Sequence, residues 1–219
     1  MTWDWSYAWS CLPLLWQAGL ITVLATVIGG ALAAVGGLPW AVLLRSDHAW
    51  VRRPADAVLQ VVRNTPLLVQ LYLLYYGLPH LGWSPSPLVI GIAGLALHYA
   101  AYAAEVYRAG FSAVPAGQTE AARVLGLSRW QRFRHVLVPQ AIPPVLPALG
   151  NLVVALFKDT PVLSAITVIE LLTRAKLLGA ESFRYLEPMT LVGVWFLIAS
   201  LVAAWPLTRL EHRLRRIPT

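Results

Sequence analysis

Lys158 and Asp159 stand side by side in a stretch of otherwise largely uncharged sequence long enough to lie within a bilayer. A cation at that depth costs roughly 2.5–3.5 kcal/mol on insertion scales, part of which the adjacent acid can offset. The pair therefore marks either a functional site or an ion pair that fixes a helix break. Thr160, Ser164 and Thr167 follow at i, i+4, i+7 spacing, which would give an α-helix one polar face suited to lining a cavity. Tyr102 and Glu105, one helical turn apart, add a phenol and a second acid, although Glu105 lies near enough to the end of its apolar run to be simply interfacial. Such a set suits a zwitterion: Lys158 would meet a carboxylate and an acid would meet a cationic group. It does not suit catalysis or metal binding. The five histidines are scattered, Cys11 is the single cysteine, and no His-Glu-x-x-His, Gly-x-Ser-x-Gly or paired-acid signature occurs.

The elements that position these residues are membrane helices. Hydrophobic residues make up 58% of the 219, charged residues 12%, and the mean hydropathy is +0.63, too apolar for a water-soluble domain of this size. The composition and the runs predict an all-α polytopic membrane protein, a single transmembrane domain over residues 1–219, with about five spans. These are Trp16–Trp40, Val58–Leu78, Leu88–Tyr107, Val145–Leu172 (interrupted by Lys158 and Asp159) and Met189–Thr208. Trp3, Trp5 and Trp9 read as an interfacial lead-in, and the absence of Lys or Arg before the first apolar run argues against a cleavable signal peptide. In the first span Gly29, Ala33 and Gly37 have small-xxx-small spacing, open to close helix packing or to ordinary filling. Arg63 is placed to snorkel at the start of the second span.

Charge sets the orientation. Arg45, Arg52, Arg53 and Arg63 sit between the bodies of spans one and two; Arg108, Arg123, Arg129, Arg132 and Arg134 come after span three; Arg209, Arg213, Arg215 and Arg216 come after span five. The alternate loops hold only Arg174, Lys176 and Arg184. The positive-inside rule then puts the N-terminus outside and the C-terminus in the cytoplasm of a multi-pass protein of a bacterial inner membrane. The bilayer accounts for the net charge of +7 without a nucleic-acid partner.

Between spans three and four, residues 113–146 form a basic segment. Glu120 to Leu125 is good helix sequence, Gly126 a stop, and Ser128 with Gln131 a capping box for a second, amphipathic helix with Trp130, Phe133 and Leu137 on one face, ended by Pro139. The segment is tethered too closely at both ends to enter a DNA groove.

Glu120, Ala121 and Ala122, then Gly126, then Val136 to Pro139 resemble the EAA loop of permease subunits of bacterial ATP-binding-cassette importers. "RNTPLLVQLY" (63–72), "YAAEVYRAG" (102–110), "PAGQTEAA" (115–122), "PQAIPPVLPALGN" (139–151) and "FKDTPVLSAI" (157–166) extend the resemblance, which is to polar amino-acid permeases. Residues 157–188 look most like ectoine and hydroxyectoine permeases. Valines before Pro139, Asn64 and Pro161 depart from the usual pattern, the last two in pore-side segments. The resemblance implies that Glu120, Ala121, Ala122 and Gly126 couple to an ATPase subunit. It also implies a second permease subunit, the same or a sister chain, and an extracytoplasmic solute-binding protein. ATP and Mg would be bound by the partner, because neither Lys158 nor Lys176 lies in a phosphate-binding loop. A membrane-embedded enzyme and an ATP-independent channel or scaffold are the alternatives.

Overall fold

Forty residues, Trp5–Leu44, form one uninterrupted helix, α1, about 60 Å long at 1.5 Å per residue. Trp5 and Trp9 of the lead-in thus belong to the same helix as the first span, Trp3 precedes it, and neither Pro13 nor Pro39 breaks it. Asp4 caps it by accepting hydrogen bonds from the amides of Ser6 and Tyr7. The computed structural model describes residues 2–214, with side chains to residue 209; Arg213, Arg215 and Arg216 lie outside the described side chains.

The remaining elements are α2 (Ala49–Asn64), α3 (Leu67–His80), α4 (Pro87–Ala113), α5 (Ala116–Val124), α6 (Arg129–Arg132), α7 (Val138–Asp159), α8 (Leu171–Ser182) and α9 (Leu186–Leu214). A π-helical turn, Phe133–Leu137, joins α6 to α7, and a 3-10 segment, Thr160–Ile166, follows α7. All regular elements among the described residues are helical. Four stretches are long and apolar enough to cross a membrane: Trp5–Leu44, Pro87–Ala113, Arg129–Ile166 and Leu186–Arg209. The pair α2 and α3 makes a fifth if taken as one broken span.

Glycine and alanine hold the centre together. A Cβ on Gly37 would sit 2.6 Å from Ala103 Cβ and 2.9 Å from Ala104 N, so α1 and α4 approach almost backbone to backbone there. Gly29 faces Leu95 and Leu156. The small-residue stripe of α1 is therefore spent inside the chain, against α4 and α7. These contacts also fix direction: α1 and α4 run parallel, whereas α7 runs against them, with Gly110 at Ala141 and Gly29 at Leu156. One end of the bundle accordingly carries the α1–α2 turn, the end of α4 and the α5–α6 turn. The other carries the start of α1, the α3–α4 turn and the α8–α9 turn.

At this second end the buried Glu187 accepts from Arg184 at 2.5 Å and from the Asp4 amide at 3.0 Å, while Arg184 also reaches Asp4 at 3.3 Å. The Ser6 hydroxyl, then the Tyr7 amide, hold the Asp4 carboxyl below its usual range.

Two expected spans and the loop helix change shape. The second is not one helix from Val58 to Leu78, because α2 and α3 meet at Thr65 and Pro66 with a bend of 102°. Proline disfavours helical backbone in the residue before it and brings no amide proton of its own. The fourth does not continue to Leu172. Its α-helix ends at Asp159, where a 3-10 segment with Pro161 in its first turn begins, and Thr167 closes that segment in left-handed conformation, φ 66°. Conversely, Pro139 does not end the loop helix: Val138 N–H bonds to Phe133 O across the π turn, and the chain passes directly into α7 with the proline in its first turn. The expected loop, 113–146, thus includes the start of a span.

Candidate functional site

Breaking a helix frees carbonyls that must find donors. Gln70, on α3, supplies them: its amide nitrogen donates to Val62 O at 2.6 Å and Thr65 O at 2.9 Å, closing the end of α2. The same nitrogen lies 3.1 Å from Nδ1 of His98 on α4. Gln70 and His98 are both buried. The His98 ring packs on Tyr99 and Tyr102, and the Tyr99 hydroxyl donates to Asp159 Oδ2 at 2.7 Å, at the end of α7. A continuous polar and aromatic chain thus runs from the α2–α3 break through α4 to the α7 break.

The expected site residues divide around this chain. Asp159 belongs to it through Tyr99, and among the described residues it forms no ion pair with Lys158, which is exposed on the single chain. Thr160, Ser164 and Thr167 do not form one α-helical face. With three residues per turn, Thr160 shares its buried side with Leu163 and Ile166, and its hydroxyl donates to Phe157 O at 2.7 Å. Ser164 is half-buried, and the Thr167 hydroxyl is 3.3 Å from that of Tyr75.

Tyr102 and Glu105 do share a face, and Arg63 occupies it: its guanidinium lies 5.6 Å from the Tyr102 ring centre and 3.3 Å from Glu105 Oε1. Arg63 therefore turns inward rather than snorkelling. Arg108 takes Glu105 Oε2 at 2.6 Å, so both carboxylate oxygens are engaged.

Gln70, His98 and Tyr99 escaped the sequence reading. Each is a polar group in an uncharged run, the one signal that could have singled them out. Their partners come from other helices and leave no mark in local spacing.

The α5–α6 turn has the geometry its residues specify. Gly126, φ 75°, donates its N–H to Arg123 O at 3.0 Å, and Leu127 N–H reaches Ala122 O at 3.1 Å, a Schellman closure. Ser128 and Gln131 complete the capping box, with Ser128 N to Gln131 Oε1 at 2.8 Å. Phe133 packs on Phe111 at the end of α4, while Arg129 pairs with Asp47 in the α1–α2 turn. Trp130 stacks on Phe133 yet stays largely exposed, so the expected apolar face is only partly buried. Ala122 is buried, Glu120 and Ala121 are exposed, and Val124 and Leu125 stand out at 89% and 78% exposure. The result is a projection braced from two sides, with two aliphatic side chains at its tip and an exposed acid one helical turn before them.

A family profile described as the inner membrane component of binding-protein-dependent transport systems matches residues 33–216. A probable amino-acid ABC transporter permease of Sinorhizobium fredii is 43% identical over 93% of this chain and 90% of its own length. The glutamine transport system permease GlnP of Escherichia coli is 34% identical over 98% and 99%. Among solved structures, an amino acid ABC transporter crystallised with histidines superposes with a TM-score of 0.89 at 33% identity, covering 97% of this chain and all of the other. The MetNI methionine transporter, at 22% identity and a TM-score of 0.78, shares the fold. With its bundle of apolar helices, its helix breaks at Pro66 and after Asp159 and its exposed α5–α6 turn, the chain belongs to the binding-protein-dependent inner-membrane transport components, in the amino-acid ABC permease family.

Proposed function

We propose that this permease subunit forms the translocation path for a polar amino acid or related zwitterion and is driven through its α5–α6 turn by a separate ATPase subunit. The observation that carries the reading is that turn: two aliphatic side chains and Glu120 held in water by a doubly capped, braced projection, a shape that serves docking to a second protein. The names of the relatives support the solute class, since glutamine and octopine carriers are among them. Ectoine and hydroxyectoine fit the same zwitterion chemistry and rest on the resemblance of residues 157–188. In this reading Asp159, oriented by Tyr99, meets the cationic end of the solute and Lys158 the carboxylate. Thr160, Ser164 and Thr167 shape the 3-10 segment beside it, while Tyr102 and Glu105, held by Arg63 and Arg108, border the path.

A second permease subunit, identical or sister, completes the path, and an extracytoplasmic binding protein delivers the solute. The basic end faces the cytoplasm, with the N-terminus outside. ATP and Mg belong to the ATPase chains, whose cycle rocks the helices around the broken segments.

The test is coupling. Gly126→Pro cannot adopt φ 75° and loses the amide bonded to Arg123 O, and Glu120→Lys reverses the charge one turn before the tip. At normal assembly levels both variants should lose most transport and solute-stimulated ATP hydrolysis. Unchanged stimulation in both would remove the turn from this role.

A further inference from the structure

A polar cavity of about 320 Å³ opens where α1 and α4 end beside α2, bounded by Arg52, Arg53, Asp56, Gln60, Glu105 and Arg108 among others. Helix α2 presents three distinct strips there. Ala55, Leu59 and Val62 pack into the core. Arg52, Asp56 and Gln60, at i, i+4, i+8, line the cavity, while Trp50 and Val61 are exposed apolar groups on the outer side. A helix that presents two arginines, Arg52 and Arg53, beside a polar strip and apolar groups on the outer one is suited to the boundary between lipid chains and headgroups.

The charges of the cavity do not cancel. Glu105 is satisfied by Arg63 and Arg108, whereas Arg52 and Arg53 form no ion pair among the described residues. Three guanidiniums of the lining, those of Arg52, Arg53 and Arg108, face the carboxylates of Asp56 and Glu105, a surplus of one positive charge over a volume that accommodates a phosphate group, and Arg63, which pairs with Glu105 from outside the lining, adds to it. Adjacent guanidiniums recognise oxyanions through paired, charge-assisted hydrogen bonds.

We propose that this cavity binds the phosphate of an anionic phospholipid, with Arg52 and Arg53 as its principal ligands and Trp50 and Val61 against the lipid chains. A lipid held there would fasten α2, and through Arg63 the neighbourhood of the α2–α3 break, to the membrane surface. Its electrostatic part weakens as salt is raised.

The purified full chain is titrated in detergent with phosphatidylglycerol, phosphatidylcholine and inorganic phosphate, and bound molecules are counted by native mass spectrometry, before and after assembly with ATPase subunits. One phosphatidylglycerol per chain should persist in both states. Arg52→Gln with Arg53→Gln should weaken it roughly 10–30-fold at low ionic strength, at about fivefold per charge. Arg52→Lys with Arg53→Lys should keep most of the affinity, and Lys176→Gln, elsewhere on the surface, all of it.

Unchanged retention in the double glutamine variant overturns the proposal, as does equal retention of phosphatidylcholine. Saturation by inorganic phosphate without a preference for phosphatidylglycerol assigns the cavity to a free anion and overturns the lipid assignment. Loss of the lipid on ATPase assembly makes an acidic protein surface the occupant, with the same consequence. Both arginines are exposed, so the glutamine variants should fold, which an unchanged melting temperature checks. No readout depends on transport, so failure here leaves the proposed function standing.

Discussion

Asp159 has its hydrogen-bond partner in Tyr99, and Lys158 has none of the ion pairs among the described residues. Neutralising Lys158 should therefore not strand a buried acid. Lys158→Gln is expected to assemble at wild-type levels yet to lower uptake per assembled complex by about tenfold or more, the loss of one charge-assisted bond to a solute carboxylate. Wild-type uptake by the assembled variant would end the solute-contact assignment. Tyr99→Phe should act differently: it removes the bond that orients Asp159, so uptake should fall while Lys158 is untouched. At this scale residue type was legible in the sequence, because a charge in an apolar run is visible without a structure. Partnership was not. Lys158 and Asp159 are neighbours in the chain, but the contact that matters to Asp159 comes from 60 positions away.

Helices behave at the scale where spacing has physical meaning, and the two glycines of α1 test it. At Gly37 an added Cβ meets Ala103 Cβ at 2.6 Å and backbone at 2.9 and 3.0 Å, none of which can turn aside. Gly37→Ala should cost about 1–3 kcal/mol, seen as a drop of several degrees in the melting temperature of the purified protein. Gly29→Ala, with nothing nearer than 3.5 Å, should be close to neutral. Equal effects at both positions would show that α1 and α4 do not cross as closely as described.

The α2–α3 break offers a second test. Gln70→Ala leaves Val62 O and Thr65 O without their donor at a partly buried site and should cost about 1–2 kcal/mol, whereas Thr65→Ala, whose exposed hydroxyl only returns to Val61 O, should cost little. Hydrophobic runs and turn chemistry made the existence of the spans and the α5–α6 closure readable. The bend at Pro66, the π turn before Pro139 and the 3-10 segment after Asp159 were not. A proline's effect depends on whether neighbouring elements supply what it removes: Gln70 makes a break tolerable at Pro66, while the widened turn carries the helix past Pro139.

In the whole molecule the two ends differ in charge and in fastening. The end with the α5–α6 turn carries Arg45, Arg52, Arg53, Arg108 and the arginines of that turn, whereas the other is closed by Asp4, Arg184 and the buried Glu187. Contacts along α1, α4 and α7 place the basic loops together at one end, an arrangement that the charge distribution alone only suggested. In the proposed orientation, which rests on the bilayer charge rule, that end is cytoplasmic.

Single-cysteine labelling tests this once Cys11, buried against Leu15 and Leu171, has been replaced by alanine. Ser86, exposed in the α3–α4 turn, and Arg134, exposed within the π turn, lie at opposite ends. A membrane-impermeant maleimide should modify Ser86→Cys in intact cells and Arg134→Cys only after the membrane is opened. Arg184→Gln, which removes the cation joining Asp4 to Glu187, should lower the melting temperature without altering either labelling pattern, because the basic loops rather than this contact set the orientation. Labelling of Arg134→Cys in intact cells, with Ser86→Cys protected, would reverse the orientation and put the α5–α6 turn out of reach of a cytoplasmic ATPase.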